Sequence, residues 1–227
     1  MNLDPAVRAL FENAGTCAVS DACERAGVLA RVTHVPARPG TAPASGRVRT
    51  LRLRAVASGD KSSRHLGADL LDSCHAGDVI LVSAPQDVRA GSWGGLLLAG
   101  AAAVGVVAVV VDGYVRDSAA ATEVAVFSRG SAVRSARGRL IEQGFDVSVI
   151  VDDEVVEPGE FVVADQDGQV FIAPQDIAAV ATSLEQVLEM ERGFLEEIVS
   201  GSHGVGAVLD SRYEDLTSPA PTTRHSS

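Results

Sequence analysis

The residues of this chain best suited to chemistry stand close together, between Gly91 and Asp117. Gly91, Gly94 and Gly95 precede an apolar run over residues 96–104, Gly105 ends it, and residues 106–111 are valine except at Ala108. Asp112-Gly113 reads as a turn, and Arg116-Asp117 follows at once. Arginine brings a permanent cation whose planar fork matches a carboxylate. Aspartate brings a hard oxygen of the kind Mg2+ takes. A helix beginning near Gly94 adds unpaired N–H groups and a partial positive charge, and glycines there let a ligand approach the backbone. The set points to a small anionic ligand bridged by a metal. A plainer account fits the same residues. Neighbouring Arg and Asp often form a surface ion pair worth under about 1 kcal/mol, and a glycine-rich helix start is often only tight packing.

Those residues meet only if the surrounding elements bring them together. Residues 79–82 are fully apolar, so strand 79–82, helix 96–104 and strand 106–111 make a β-α-β unit. Such a crossover is right-handed and leaves its strands parallel. The helix start at 94–97 and the loop 112–117 then share the sheet edge outside the strands' carboxyl ends, where open α/β folds place ligands. The second strand lacks polar alternation, which describes a central strand covered on both faces.

The remaining expected elements are helices over 4–13 and 20–26, the latter capped by Ser20 or Asp21. A loop covers 35–46, a strand with one basic, exposed face covers 48–56, and a short helix covers 64–74. Further strands are expected at 124–127 and 147–151. A hairpin pairs 161–164 with 169–173 across Asp165-Gln166-Asp167-Gly168. That turn lacks the remaining acids of a calcium loop. A long helix runs over 176–199 and stops at Gly201. Strands and helices alternate without a linker, so residues 1–210 read as one α/β domain. The tail, 211–227, ends too polar and proline-rich to expect order.

Composition narrows the function classes. The 227 residues are 46% apolar, with 30 acids against 19 Lys plus Arg and a formal charge of −11. This balance argues against nucleic acid and against an anionic membrane as partner. The first fifteen residues carry acids and read as an amphipathic helix rather than a signal peptide. The apolar run 104–111 contains Gly105 and falls far short of a bilayer span. Cys17, Cys23 and Cys74 are odd in number without C-x-x-C spacing, which reads as buried, reduced thiols in a cytoplasmic protein. The five histidines are too scattered for zinc, although His65 and Arg64 can line the cleft. Arg129, Arg134, Arg137 and Arg139 read as an exposed or inter-subunit basic face.

Gly94-x-Leu96-Leu97 followed by Asp112-Gly113-Tyr114-Val115-Arg116-Asp117 resembles the RraA-like family. That family includes regulators of ribonuclease E activity and metal-dependent 4-hydroxy-4-methyl-2-oxoglutarate/4-carboxy-4-hydroxy-2-oxoadipate aldolases. Val19-Ser20-Asp21-Ala22, the segment 76–82 and the segment 158–168 resemble further family motifs in the same order. The resemblance implies a swivelling β/β/α-type domain: a central sheet flanked by helices, with a long C-terminal helix. It implies assembly as a homotrimer or dimer of trimers. Arg116 would hold the substrate carboxylate, and Asp117 would stand at Mg2+ or Mn2+. The backbone of Gly94, Gly95, Leu96 and Leu97 would grip the substrate, and Glu191 of a neighbouring subunit would face the metal. One departure stands out: the aldolases carry an acid where this chain has Gly95. The implied function is a metal-dependent lyase acting on a 2-oxo acid, by retro-aldol cleavage or oxaloacetate decarboxylation through an enolate. Gly95 keeps open a non-catalytic regulator of a ribonuclease complex, or a member repurposed in a specialised biosynthetic pathway.

Overall fold

Valine-rich runs become strands and alanine- and leucine-rich runs become helices in the computed structural model, which describes residues 5–60, 65–117, 123–212 and 216–218. The chain runs α1 (Pro5–Ala14), α2 (Thr16–Arg25), β1 (Arg31–Thr33), β2 (Ala44–Ala55), α3 (Ala68–Asp72) and β3 (Asp78–Ser83). It continues through β4 (Gly91–Trp93), α4 (Gly95–Val104), β5 (Ala108–Val115), β6 (Ala125–Ser131) and β7 (Leu140–Phe145). β8 (Val149–Val151), β9 (Glu154–Val156), β10 (Phe161–Ala164), β11 (Gln169–Ile172), α5 (Ile177–Ser200) and α6 (Val205–Arg212) complete it. The contacts gather into two compact units: Arg31–Pro174, and the flanking segments up to Ala30 and from Gln175. Lys61, Arg64 and most of the C-terminal tail lie outside the described residues.

The first unit is built on a mixed sheet ordered β1-β11-β10-β2-β3-β5-β4, with β6 added on β5 and β7 on β2. β2, β3, β5 and β6 run parallel, as does β4 beside β5. The parallel β3-α4-β5 unit is as the apolar pattern predicts. Alternate residues of its strands enter opposite cores. Ile80, Val82, Val109 and Val111 pack with Trp93 and Leu98 on one face. Val79, Leu81, Ala108 and Val110 pack with Phe127 and Phe171 on the other. Burial on both faces is why the run needs no polar alternation.

Two expectations in this unit are overturned. β5 does not stop at Val111. It runs on to Val115, because buried Asp112 is satisfied by Arg129 Nε (2.8 Å) and Gln86 Nε2 (2.9 Å) and so need not turn to solvent. The arginines of β2 do not form a uniformly exposed basic face either. Arg49 is 8% exposed; it donates to Asp146 at 2.8 and 2.6 Å and to the Ser73 carbonyl at 2.7 Å. Arg47 forks onto buried Asp78 at 3.0 Å through both contacts. A buried cation requires such partners, and Asp146 and Asp78 come from segments far along the chain. The 165–168 segment is the expected hairpin turn, with the Asp165 side chain accepting from Asp167 N–H at 2.9 Å.

The second unit is helical. Thr16, Val19, Ala22 and Cys23 share the buried face of α2 at the three- and four-residue spacing of an amphipathic helix. That face starts four residues before Ser20, so Ser20 and Asp21 lie inside the helix and the cap position belongs to Gly15, at φ 81°. α5 buries Ile177, Val180, Ala181, Leu184 and Val187 at the same spacing, and Gly201 ends it at φ 69°. Cys23 and Cys74 are buried, and burial pushes their thiols up to about 12 and about 11, whereas Cys17 is exposed. Among the described residues no helix is long and apolar enough to cross a membrane.

Candidate functional site

Because β3 and β5 are parallel neighbours, their carboxyl ends lie at one sheet edge. The chain leaves β3 at Ser83, adds the short strand β4 alongside β5, and enters α4 through Gly94. Arg116 is the first residue beyond β5. Its N–H donates to the Trp93 carbonyl at 2.9 Å, tying the end of β5 to the residue before Gly94.

The glycines make room for this crossing. A Cβ on Gly91 would stand 2.7 Å from Arg116 Cγ, and one on Gly94 would stand 3.0 Å from the same atom. A Cβ on Gly95 would stand 3.1 Å from Asp117 Cβ. So these glycines admit the protein's own arginine and aspartate, where the sequence suggested only a ligand or tight helix packing. Asp117 lies at φ 56°, a left-handed conformation that aspartate tolerates better than most residues. Its Oδ2 accepts from Arg116 Nε at 3.1 Å, the two side chains being 37% and 56% exposed. Among the described residues no carboxylate pairs with the terminal nitrogens of Arg116. The first helical bond of α4 is Leu98 N–H to the Gly94 carbonyl at 2.9 Å. The N–H groups of Gly95, Leu96 and Leu97 therefore precede the intrahelical ladder.

These residues line one cavity of about 740 Å3, shared with Asp60, His65, Ser135 and Arg137. That volume suits a small organic ligand. Asp60 is committed elsewhere. Arg54 donates to it at 2.5 and 2.9 Å and Ala57 N–H at 2.7 Å, which holds its carboxyl down to about 2.

The structure thus brings together Gly94, Gly95, Leu96, Leu97, Arg116 and Asp117, the full predicted sheet-edge set. Glu191 belongs to α5 in the other unit, where burial and the negative charge of Asp21 push its carboxyl up.

Residues 16–171 match the family described as RraA-like, Aldolase/RraA. The chain belongs to the RraA-like family. An uncharacterised protein of Methanocaldococcus jannaschii is 32% identical over 112 residues, 48% of this chain and 53% of that protein. The match therefore spans only about half of that relative. An uncharacterised protein from Pseudomonas syringae superposes with a TM-score of 0.76 at 25% identity, covering 92% of this chain and 98% of that one. RraAS2 of Streptomyces coelicolor, described as an unusual member of the RNase ES inhibitor RraA protein family, superposes at 0.72 with 22% identity over 85% and 98% of the two chains. Both superpositions agree with the RraA-like fold.

Within this RraA-like site the sequence did not foretell Arg137 and Ser135. They belong to the segment before β7, whose Leu-Ile-Glu-Gln-Gly-Phe composition carries no strand alternation. The sequence places Arg137 with Arg129 on an exposed or inter-subunit basic face. Arg129 instead turns inward to Asp112, Asp152 and the His34 carbonyl. His65 lines the cavity, as the sequence allows.

Proposed function

We propose that this RraA-like protein is a metal-dependent lyase that breaks the C3–C4 bond of a 2-oxo acid and leaves the enolate of its C2 keto group. One observation carries the reading. Arg116 and Asp117 cross onto the glycine turn before α4, so a fixed cation, a carboxylate and the helix's leading N–H groups line one cavity.

Arg116 holds the substrate carboxylate through its terminal nitrogens, with charge-assisted bonds. The N–H groups of Leu96 and Leu97 receive oxygen charge as the bond breaks. Donors already in place serve a developing oxyanion better than water, which must reorganise. Asp117 is the residue that fits Mg2+ or Mn2+. Among the described residues no three His, Cys, Asp or Glu stand together, which argues against a closed cage. One cavity-lining carboxylate does suit an ion that keeps its waters and shares the substrate's oxygens. Such an ion, when bound, supplies a Lewis acid at the keto oxygen.

The proposal includes a homotrimer or dimer of trimers, with Glu191 from a neighbouring copy completing the site. Leu96, 86% exposed at the cavity, is an apolar side chain that a second copy would cover. A solution mass below three chains contradicts this assembly. For the activity, purified protein with Mg2+ or Mn2+ is expected to release pyruvate from oxaloacetate or from 4-hydroxy-4-methyl-2-oxoglutarate. Release from neither rejects the lyase reading and leaves a binding role, to be probed by pull-down against ribonuclease E.

A further inference from the structure

We propose that His65 is the base that removes the hydroxyl proton in retro-aldol cleavage at this site, an assignment that rests on the lyase reading above.

The cavity leaves His65 as the side chain suited to that task. Among the described residues that line it, the ionisable side chains are Asp60, His65, Arg116, Asp117 and Arg137. The arginines stay protonated. Asp60 is saturated by Arg54 and Ala57, and Asp117 faces Arg116 and is the carboxylate suited to a metal. His65 Nδ1 lies 3.2 Å from the Leu66 carbonyl oxygen. A carbonyl only accepts, so Nδ1 carries the hydrogen of this bond. In the neutral ring that leaves Nε2 with its lone pair.

The turn bearing His65 is built against the arginine's anchor. Gly67 N–H donates to the Glu142 carboxylate at 3.0 Å. Gly67 itself sits at φ 72°, where a Cβ would come within 2.9 Å of Trp93 Cζ3. The same Trp93 accepts the Arg116 N–H through its carbonyl. Trp93 thus joins the two segments, its indole packed against the turn that follows His65 and its carbonyl holding the Arg116 N–H.

The step balances within the cavity. Nε2 takes the proton of the C4 hydroxyl, the C4–O bond becomes a carbonyl, and the C3–C4 bond breaks. Its electron pair moves into the C2–C3 bond of pyruvate enolate, whose oxygen faces the α4 N–H groups. Water then protonates the enolate at C3, and the imidazolium gives its proton to the hydroxide so formed, which restores the neutral ring. Oxaloacetate loses CO2 from a carboxylate already ionised and needs no such base. The two reactions therefore separate His65 from the rest of the site.

Full-length protein, His65→Asn and His65→Ala are compared with Mg2+ or Mn2+ on both substrates. Asparagine keeps a donor for the Leu66 carbonyl but offers no base. The ratio of 4-hydroxy-4-methyl-2-oxoglutarate cleavage to oxaloacetate decarboxylation is expected to fall about a hundredfold in both variants, the lower range of general-base effects. Added imidazole is expected to restore part of it in His65→Ala. A structural role would lower both rates together and leave the ratio unchanged, which overturns the assignment. A wild-type protein that decarboxylates without cleaving also overturns it, while leaving the lyase reading intact. Inertness on both substrates rejects that reading and the assignment with it.

Discussion

Replacing Arg116 with alanine is expected to lower kcat/KM for oxaloacetate between roughly tenfold and a hundredfold. Hydrogen bonds to charged groups contribute about 1.5–3 kcal/mol, and the carboxylate loses its permanent cation. Arg116→Lys keeps the charge but not the fork, so it is expected to fall between wild type and alanine. Gly91→Ala is the sharper variant because it removes no functional group. Its new Cβ would stand 2.7 Å from Arg116 Cγ and 2.8 Å from Arg116 Cβ, so the arginine must move. Displacing a binding group by about 1 Å can lower rate about a hundredfold. Gly91→Ala is therefore expected to resemble Arg116→Ala in kinetics. Wild-type kinetics in both variants would detach the arginine from the chemistry.

The second large effect concerns stability. Arg49→Ala is expected to destabilise the protein by about 3 kcal/mol, the upper range for hydrogen bonds to charged groups. Its bonds to Asp146 and to the Ser73 carbonyl and hydroxyl are lost together, while Asp78 keeps Arg47. Arg49 meets Asp146 at 2.6 Å, and Asp78, 4% exposed at its side chain, lies 3.5 Å away. In a chain of this size that corresponds to a Tm lower by roughly 6–12 °C, read by calorimetry. Acid acts on the same network. Burial alone would push the Asp78 carboxyl up, but Arg47 and the His75 N–H outweigh it, and the net displacement is downward. A carboxyl depressed in the folded state stabilises fully above its ordinary unfolded value of about 4. That contribution is lost as pH falls through the lower folded value. Stability is therefore expected to decline below about pH 4, and Asp78→Asn to flatten the decline. An unchanged acid slope in Asp78→Asn would show that other carboxylates carry it.

Much of this arrangement is legible in the sequence, for a local reason. The β3-α4-β5 unit is written in consecutive residues: an apolar run, glycines, a small-residue helix, Gly105 and valines. Helix start and strand end must then meet at one edge. What escaped is non-local. Asp112 looked like a turn because the chain alone does not reveal Arg129, which satisfies it from seventeen residues further on. Arg49 looked exposed because Asp146 lies ninety-seven residues away. β7 is not legible in the sequence because Leu140–Phe145 mixes Glu, Gln and Gly into a strand that pairs with β2. The glycines are close-approach positions, as their spacing suggests, but the approaching groups are the protein's own arginine and aspartate.

Binding of oxalate, a small dicarboxylate that resembles pyruvate enolate, tests the central claim most directly. Calorimetric titration is expected to show oxalate binding that requires Mg2+ or Mn2+ and weakens at least about tenfold in Arg116→Ala and in Asp117→Asn, the loss of one charge-assisted contact. Oxalate that binds equally well without metal and in both variants, or that does not bind at all, would contradict the account.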